Sequence, residues 1–227
     1  MENKIINIKT VAEVAKALKD LLPQMVFVCG AVISLYTDDA AADEVRPTGD
    51  IDLAIQFTSF AEWAKIQEKL ATLGFSPDPE GHAICSYLYK DISIDIMPAE
   101  DSAIGAFNSW YKPGFHHLQE TKAEDETVKI LSAPYFLATK FEAFHNRGSD
   151  HRTSHDFEDI IYVLDNRTCI VDDILTADTE VKAFLKEELS MIMSNPYSDE
   201  IIRSHIHPLM VDERFPEVLE KINKIVS

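Results

Sequence analysis

The sequence predicts an α/β fold of the α+β kind, a small mixed-sheet domain followed by a helical domain. Two observations predict it. Short apolar or alternating segments recur between Met25 and Met97, as strands of a sheet require. From Pro134 onward the apolar residues recur at helical spacing instead. The change of character sets domains at residues 1–127 and 128–227. With 227 residues, 46% of them hydrophobic, the chain can bury a real core in one large domain or two small ones.

The elements follow in order. Val11, Val14, Ala15, Leu18, Leu21 and Leu22 form one stripe of an amphipathic helix that Pro23 ends. Met25 to Cys29 is wholly apolar, as expected of a buried strand. Gly30 punctuates it, and Ala31 to Tyr36 starts a short helix. Thr37 to Pro47 is polar and acidic, a solvent loop. Asp50 to Phe57 alternates, with Asp50, Asp52 and Ala54 on one face and Ile51, Leu53 and Ile55 on the other, which is a strand. Ser59 and Glu62 have capping-box spacing and open a helix to about Leu73, with Gly74 as its C-terminal cap. His82 to Lys90 and Ile92 to Met97 are two strands joined by a tight turn at Lys90-Asp91. Asp101 to Asp125 carries no clear period and is assigned loops and one more strand. Pro134 to Arg147 is a helix with proline in its first turn. Ser154 is a fair N-cap for a helix to Leu164, and the remainder reads as mostly helical.

Charge and cysteine content bound the function. A formal net charge of -18 repels phosphate backbones at long range, which argues against non-specific nucleic-acid binding. Cys29, Cys85 and Cys169 are far apart and lack C-x-x-C spacing, so reduced buried thiols are expected rather than disulfides or a zinc knuckle. The first ten residues have no long apolar core, and no apolar run approaches the roughly 20 residues of a membrane helix. The expectation is a soluble cytoplasmic protein without a membrane partner.

The chemistry concentrates in three aspartates. Side chains on a strand repeat every second residue, so Asp50 and Asp52 point the same way. Two like charges on one half-buried face repel, and a shared divalent cation removes that penalty. If the strand carrying Asp95 pairs beside them, a third carboxylate reaches the same place. Magnesium (or manganese) favours oxygen ligands and keeps part of its coordination for phosphate and water, so the set suits phosphoryl or nucleotidyl transfer. The competing reading is a pair of solvated carboxylates. The buried side of the strand, Asp95 in a second apolar strand and Gly30 after an upstream strand weigh against it.

The order VFVCGA, RPTGDIDLAI and ISIDI resembles the polymerase-beta-type nucleotidyltransferase superfamily. Within it the chain is similar to the AbiE-type (AbiEii) abortive-infection toxin nucleotidyltransferases. Arg46 and Thr48 precede Asp50 as the arginine and small hydroxyl residue of that pattern do. Lys140, Arg147 and Asp156 resemble its later lysine, arginine and aspartate. The resemblance covers about Val26 to Leu164. It implies a nucleotidyltransferase domain with Asp50, Asp52 and Asp95 as catalytic metal ligands. Gly30, Ala31, Thr48, Lys140 and Arg147 then bind nucleotide, with Arg46 and Asp156 in support. It also implies a nucleoside triphosphate as donor, a tRNA 3′ end, a protein or a small molecule as acceptor, and an antitoxin protein as partner. Two features depart from the pattern: Ala31 stands where glycine or serine is preferred, and the gap from Gly30 to Asp50 is long and acidic. They motivate an alternative, a nucleotidyltransferase-fold module that binds nucleotide or protein with little or no turnover.

In the helical part, Lys140 and Arg147 are two turns apart, hence roughly on one face. A lysine offers a triphosphate a point charge and an arginine a fork, while an ordinary charged face is the alternative. Asp156 and Asp159, one turn apart, could position those cations, contact nucleotide or form plain salt bridges. His145, His151 and His155 have residue types suited to a metal, although solvated histidines are the commoner case. His116 and His117 carry no assigned role.

Overall fold

The computed structural model describes residues 8–40, 42, 45–57, 59–81, 84–100, 108–148 and 150–227. Four expectations touch the remainder: most of the N-terminal residues read for a leader, part of the acidic loop from Thr37 to Pro47, the start of the strand predicted from His82, and the start of the stretch from Asp101 to Asp125 lie outside the described residues.

The chain divides into two compact units, one of residues 1–35 with 45–131, the other of residues 36–44 with 132–227. The first opens with helix α1 (Ile8–Leu18), followed by a 3-10 segment, Lys19–Gln24. Pro23 therefore lies inside a 3-10 turn rather than at the end of a longer α-helix; the tighter winding begins at Lys19, whose φ is 48°. Strand β1 (Met25–Phe27) is buried throughout, and a second 3-10 segment spans Gly30–Tyr36. Strand β2 (Asp50–Ile55) and helix α2 (Phe60–Thr72) come next. The Ser59 hydroxyl accepts the Glu62 N–H at 3.3 Å, half of the anticipated capping box. Gly74, with φ at 92°, follows the helix as its sequence position required.

Strands β3 (Phe75–Pro77), β4 (Ser86–Tyr89) and β5 (Ile92–Pro98) form a meander. A short helix α3 (Tyr111–Gly114) precedes the hairpin of β6 (Leu118–Ala123) and β7 (Glu126–Leu131). The hairpin supplies two strands where the sequence promised one.

The seven strands among the described residues belong to one sheet, in the order β3-β4-β5-β2-β1-β7-β6. It is mixed: β2 runs parallel to β5 and β1 parallel to β7, while the other neighbours are antiparallel. Helix α1 packs on β6 and β7, and α2 on β3. Ile51, Leu53 and Ile55 of β2 and Ile92, Ile94 and Ile96 of β5 are buried, so the alternation reads directly as one apolar and one more open side.

The second unit is helical: α4 (Ala133–Arg147), α5 (His155–Asn166), α6 (Ile170–Thr176), α7 (Thr179–Met193), α8 (Ser198–Arg203) and α9 (Val211–Val226). Gly148 ends α4 in the left-handed conformation, φ 61°, and the Ser154 hydroxyl accepts the Phe157 N–H. The segment 36–44 belongs to this unit by its contacts. Tyr36 stacks on Phe136 at 4.3 Å between centroids, and Asp39 accepts a bond of 2.8 Å from buried Arg214, which also pairs with Asp165. No helix among the described residues is long and apolar enough to cross a membrane.

Candidate active site

The two aspartates of β2 and the one of β5 are brought together by register. In the parallel pairing, Asp52 lies opposite Asp95 and Asp50 opposite Ser93, so the three carboxylates rise from one patch of one face. Each offers an oxygen within 4.8 Å of the others. Asp50 is exposed, whereas Asp52 and Asp95 are half-buried. Among the described residues, this is the group of His, Cys, Asp or Glu side chains with the geometry to hold a metal ion. The donors are hard oxygens only, as magnesium and manganese favour. Like charges this close repel unless a cation compensates them.

β4 adds a residue that the sequence did not single out. Ser86 lies opposite Asp95 on its other side, and its hydroxyl donates to Asp95 Oδ1 at 2.5 Å. A lone serine in the run ICSYLY is a polar group in an otherwise apolar strand. That was the available signal. Beside it, burial and the nearby Asp95 carboxylate push the Cys85 thiol up to about 11, so it stays protonated. Cys29 is buried and outside any disulfide too, while Cys169 is only half-buried, its thiol lying 3.4 Å from Asp38 and Asp173.

β1 ends beside the aspartates: the Val28 N–H donates to the Asp52 carbonyl at 3.0 Å. Gly30 and Ala31 follow directly, both buried, at the start of the 3-10 segment. Thr48 leads into β2 and its hydroxyl donates to the Asp50 carbonyl at 3.3 Å, while Arg46 is half-buried. Gly49, between them, has open space where a side chain would stand.

In the helical unit, Lys140 and Arg147 of α4 meet Asp156 and Asp159 of α5. Lys140 Nζ is 2.7 Å from Asp159 Oδ2 and 3.7 Å from Asp156 Oδ1, and it lies over the Phe136 ring. Arg147 Nη1 is 2.5 Å from Asp156 Oδ2. Both aspartates are buried and Lys140 is largely so, so its pairs are not the solvated contacts of an ordinary charged helix face, whereas Arg147 is exposed and reaches Asp156 from solvent. The histidines take separate partners. His145 Nε2 lies 2.9 Å from both Glu188 oxygens, His155 Nδ1 is 3.2 Å from Glu158, and the His151 ring packs on Phe144.

Comparison with known proteins gives the fold and the family. Among solved structures, an antigenic nucleotidyltransferase-like protein from Paracoccidioides brasiliensis superposes with a TM-score of 0.52 at 16% identity, over 90% of this chain and 96% of that one. At that identity the likeness establishes the fold. No curated protein matches the sequence. The family described as nucleotidyl transferase AbiEii toxin, of type IV toxin–antitoxin systems, matches residues 15–221. That span takes in the sheet with its three aspartates and nearly all of the helical unit, and the chain belongs to the AbiEii nucleotidyltransferase toxin family.

Proposed function

We propose that the chain transfers a nucleoside monophosphate from a nucleoside triphosphate to an acceptor hydroxyl, with Mg2+ or Mn2+ held by Asp50, Asp52 and Asp95. The observation that carries this reading is the convergence of three carboxylates from β2 and β5 within 4.8 Å. When bound, the cation polarises phosphate oxygens and offsets the charge that develops on them. The bond that forms joins the acceptor oxygen to the α-phosphorus; the bond that breaks releases pyrophosphate. Asp95 accepts the proton of the attacking hydroxyl. Backbone N–H groups at Gly30 and Ala31 cradle phosphate oxygens, with Thr48 and Arg46 beside the aspartates in sequence. Lys140 and Arg147 are proposed as triphosphate contacts, with Asp156 in support, on the family resemblance.

The acceptor belongs to one of three classes: a tRNA 3′ end, a protein side chain or a small molecule. The net charge of -18 disfavours the tRNA. The family's toxin role implies an antitoxin protein as partner and a cytoplasmic site of action. Ala31 and the acidic stretch before Asp50 support a second reading, a nucleotide- or protein-binding module with little turnover. Metal-dependent release of pyrophosphate separates the two.

Asp50→Asn tests the main reading. It removes one charge from a crowded, partly exposed site, so the fold stays intact and stability holds or rises. Manganese binding, followed by calorimetric titration, should fall sharply together with pyrophosphate release. An unchanged titration curve would count against the assignment.

A further inference from the structure

We propose that Ser86 is the positioning residue for Asp95, its hydroxyl setting the carboxylate for the cation; this rests on the metal reading above. The Ser86 side chain is itself fixed from several directions. It is 5% exposed, between buried Cys85 and Tyr87. Its carbonyl accepts the Asp78 N–H at 2.9 Å, and the Cys85 carbonyl accepts the Ile96 N–H at 2.8 Å, so the backbone is tied to both flanking segments. Gly81 closes over it. A Cβ at Gly81 would stand 2.4 Å from Ser86 Cβ and 2.7 Å from Oγ, so the bare Cα permits the chain to pass there.

Chemistry gives this arrangement a direction. A carboxylate only accepts, so the Ser86 hydroxyl commits its proton to Asp95 Oδ1. The terminal torsion of an aspartate is broad and roughly two-fold. A donor held on one oxygen narrows that torsion and leaves the other oxygen for an incoming ion. The hydroxyl in turn finds its partner there, since a buried hydroxyl without one is costly. Outer-shell partners of this kind typically govern metal affinity 10- to 100-fold.

The test is manganese affinity of the full-length chain, read from the electron paramagnetic resonance of free Mn2+, with thermal midpoints measured in parallel. Ser86→Ala should weaken Mn2+ binding roughly tenfold or more while the midpoint stays close to wild type. Ser86→Cys, nearly isosteric and a weak donor, should weaken it likewise and serves if the alanine variant folds poorly. Asp95→Asn should lose at least as much, and adding Ser86→Ala to it should cost little further, because the serine acts through that carboxylate. Wild-type affinity in Ser86→Ala with impaired Asp95→Asn overturns the positioning role and leaves the metal site standing. Fully additive losses overturn it too. Wild-type affinity in Asp50→Asn, Asp95→Asn and Ser86→Ala alike removes the metal reading itself.

Discussion

Lys140 meets two buried carboxylates, and that decides what its removal does. Its side chain is 12% exposed and that of Asp159 is 5% exposed, at 2.7 Å. Truncating one partner of such a pair leaves a buried charge uncompensated, at a cost of about 3–5 kcal/mol. Lys140→Ala should therefore destabilise the protein by that amount in urea unfolding, and any loss of triphosphate binding in it would be confounded. Lys140→Met combined with Asp159→Asn should recover most of the stability, because no unpaired charge remains. Wild-type stability in Lys140→Ala would mean that solvent compensates Asp159 after all. The sequence left this pairing as one of several roles for Asp156 and Asp159, since helical spacing tells which residues share a face but not what faces them. Asp50 and Asp52 were more legible because their relation is intrinsic to a strand. Asp95 could be recognised by its apolar neighbours, although its opposition to Asp52 is a fact of pairing. Ser86 was marked only as a polar residue in an apolar run, which does not name its partner: its hydrogen bond joins strands whose register the sequence does not state.

The β6–β7 hairpin turns at Glu124, between the opposed residues Ala123 and Glu126. Glu124 holds a φ of 51°, a left-handed conformation that costs an ordinary L-residue about 1–2 kcal/mol. Asparagine enters that region more readily, through local hydrogen bonding of its short side chain. Glu124→Asn should raise the thermal midpoint by roughly 2–4 °C, the shift that about 1 kcal/mol produces in a chain of this size. A lower midpoint in scanning calorimetry would show that the glutamate side chain contributes more than its backbone conformation costs. The same turn explains why the hairpin was not recognised. Glu124-Asp125 lacks the glycine that usually signals a two-residue connection, and LQETKA is too polar for a clean period-two pattern. β3 was hidden for another reason: FSP is short and ends in proline, which strands usually exclude. Where capping chemistry was explicit, at Ser59, Gly74 and Ser154, the sequence located helix ends well. The 3-10 segment after α1 escaped because its apolar stripe continues through Leu21 and Leu22 while the winding tightens.

For the whole molecule, the class of fold was legible and the sheet order was not. β1 sits between β2 and β7, and the strand that flanks it on the far side comes about a hundred residues later in the chain. Local periodicity carries no information on such pairings, which is why the metal reading depended on β5 lying beside β2. The response to acid is likewise a sum over the chain rather than a property of one site. Between pH 7.5 and 5.5, carboxylates with ordinary values near 4 stay ionised, so histidines dominate the change. Burial holds His205 below the usual histidine value, as does the proximity of His151 and His155; the His151 carbonyl and Glu158 act the other way. Burial depresses His151 as well. A histidine depressed in the folded state binds fewer protons than it does unfolded, so stability rises with pH through about 6.5 and is lost as pH falls below it. The thermal midpoint should therefore drop on going from pH 7.5 to 5.5. His205 Nε2 donates to the His151 carbonyl at 2.6 Å, and its ring packs on Phe157. His205→Gln keeps an N–H for that carbonyl but cannot titrate, so its midpoint should fall less steeply over the same interval. Identical slopes in the two proteins would assign the acid sensitivity to other groups and remove His205 from the account.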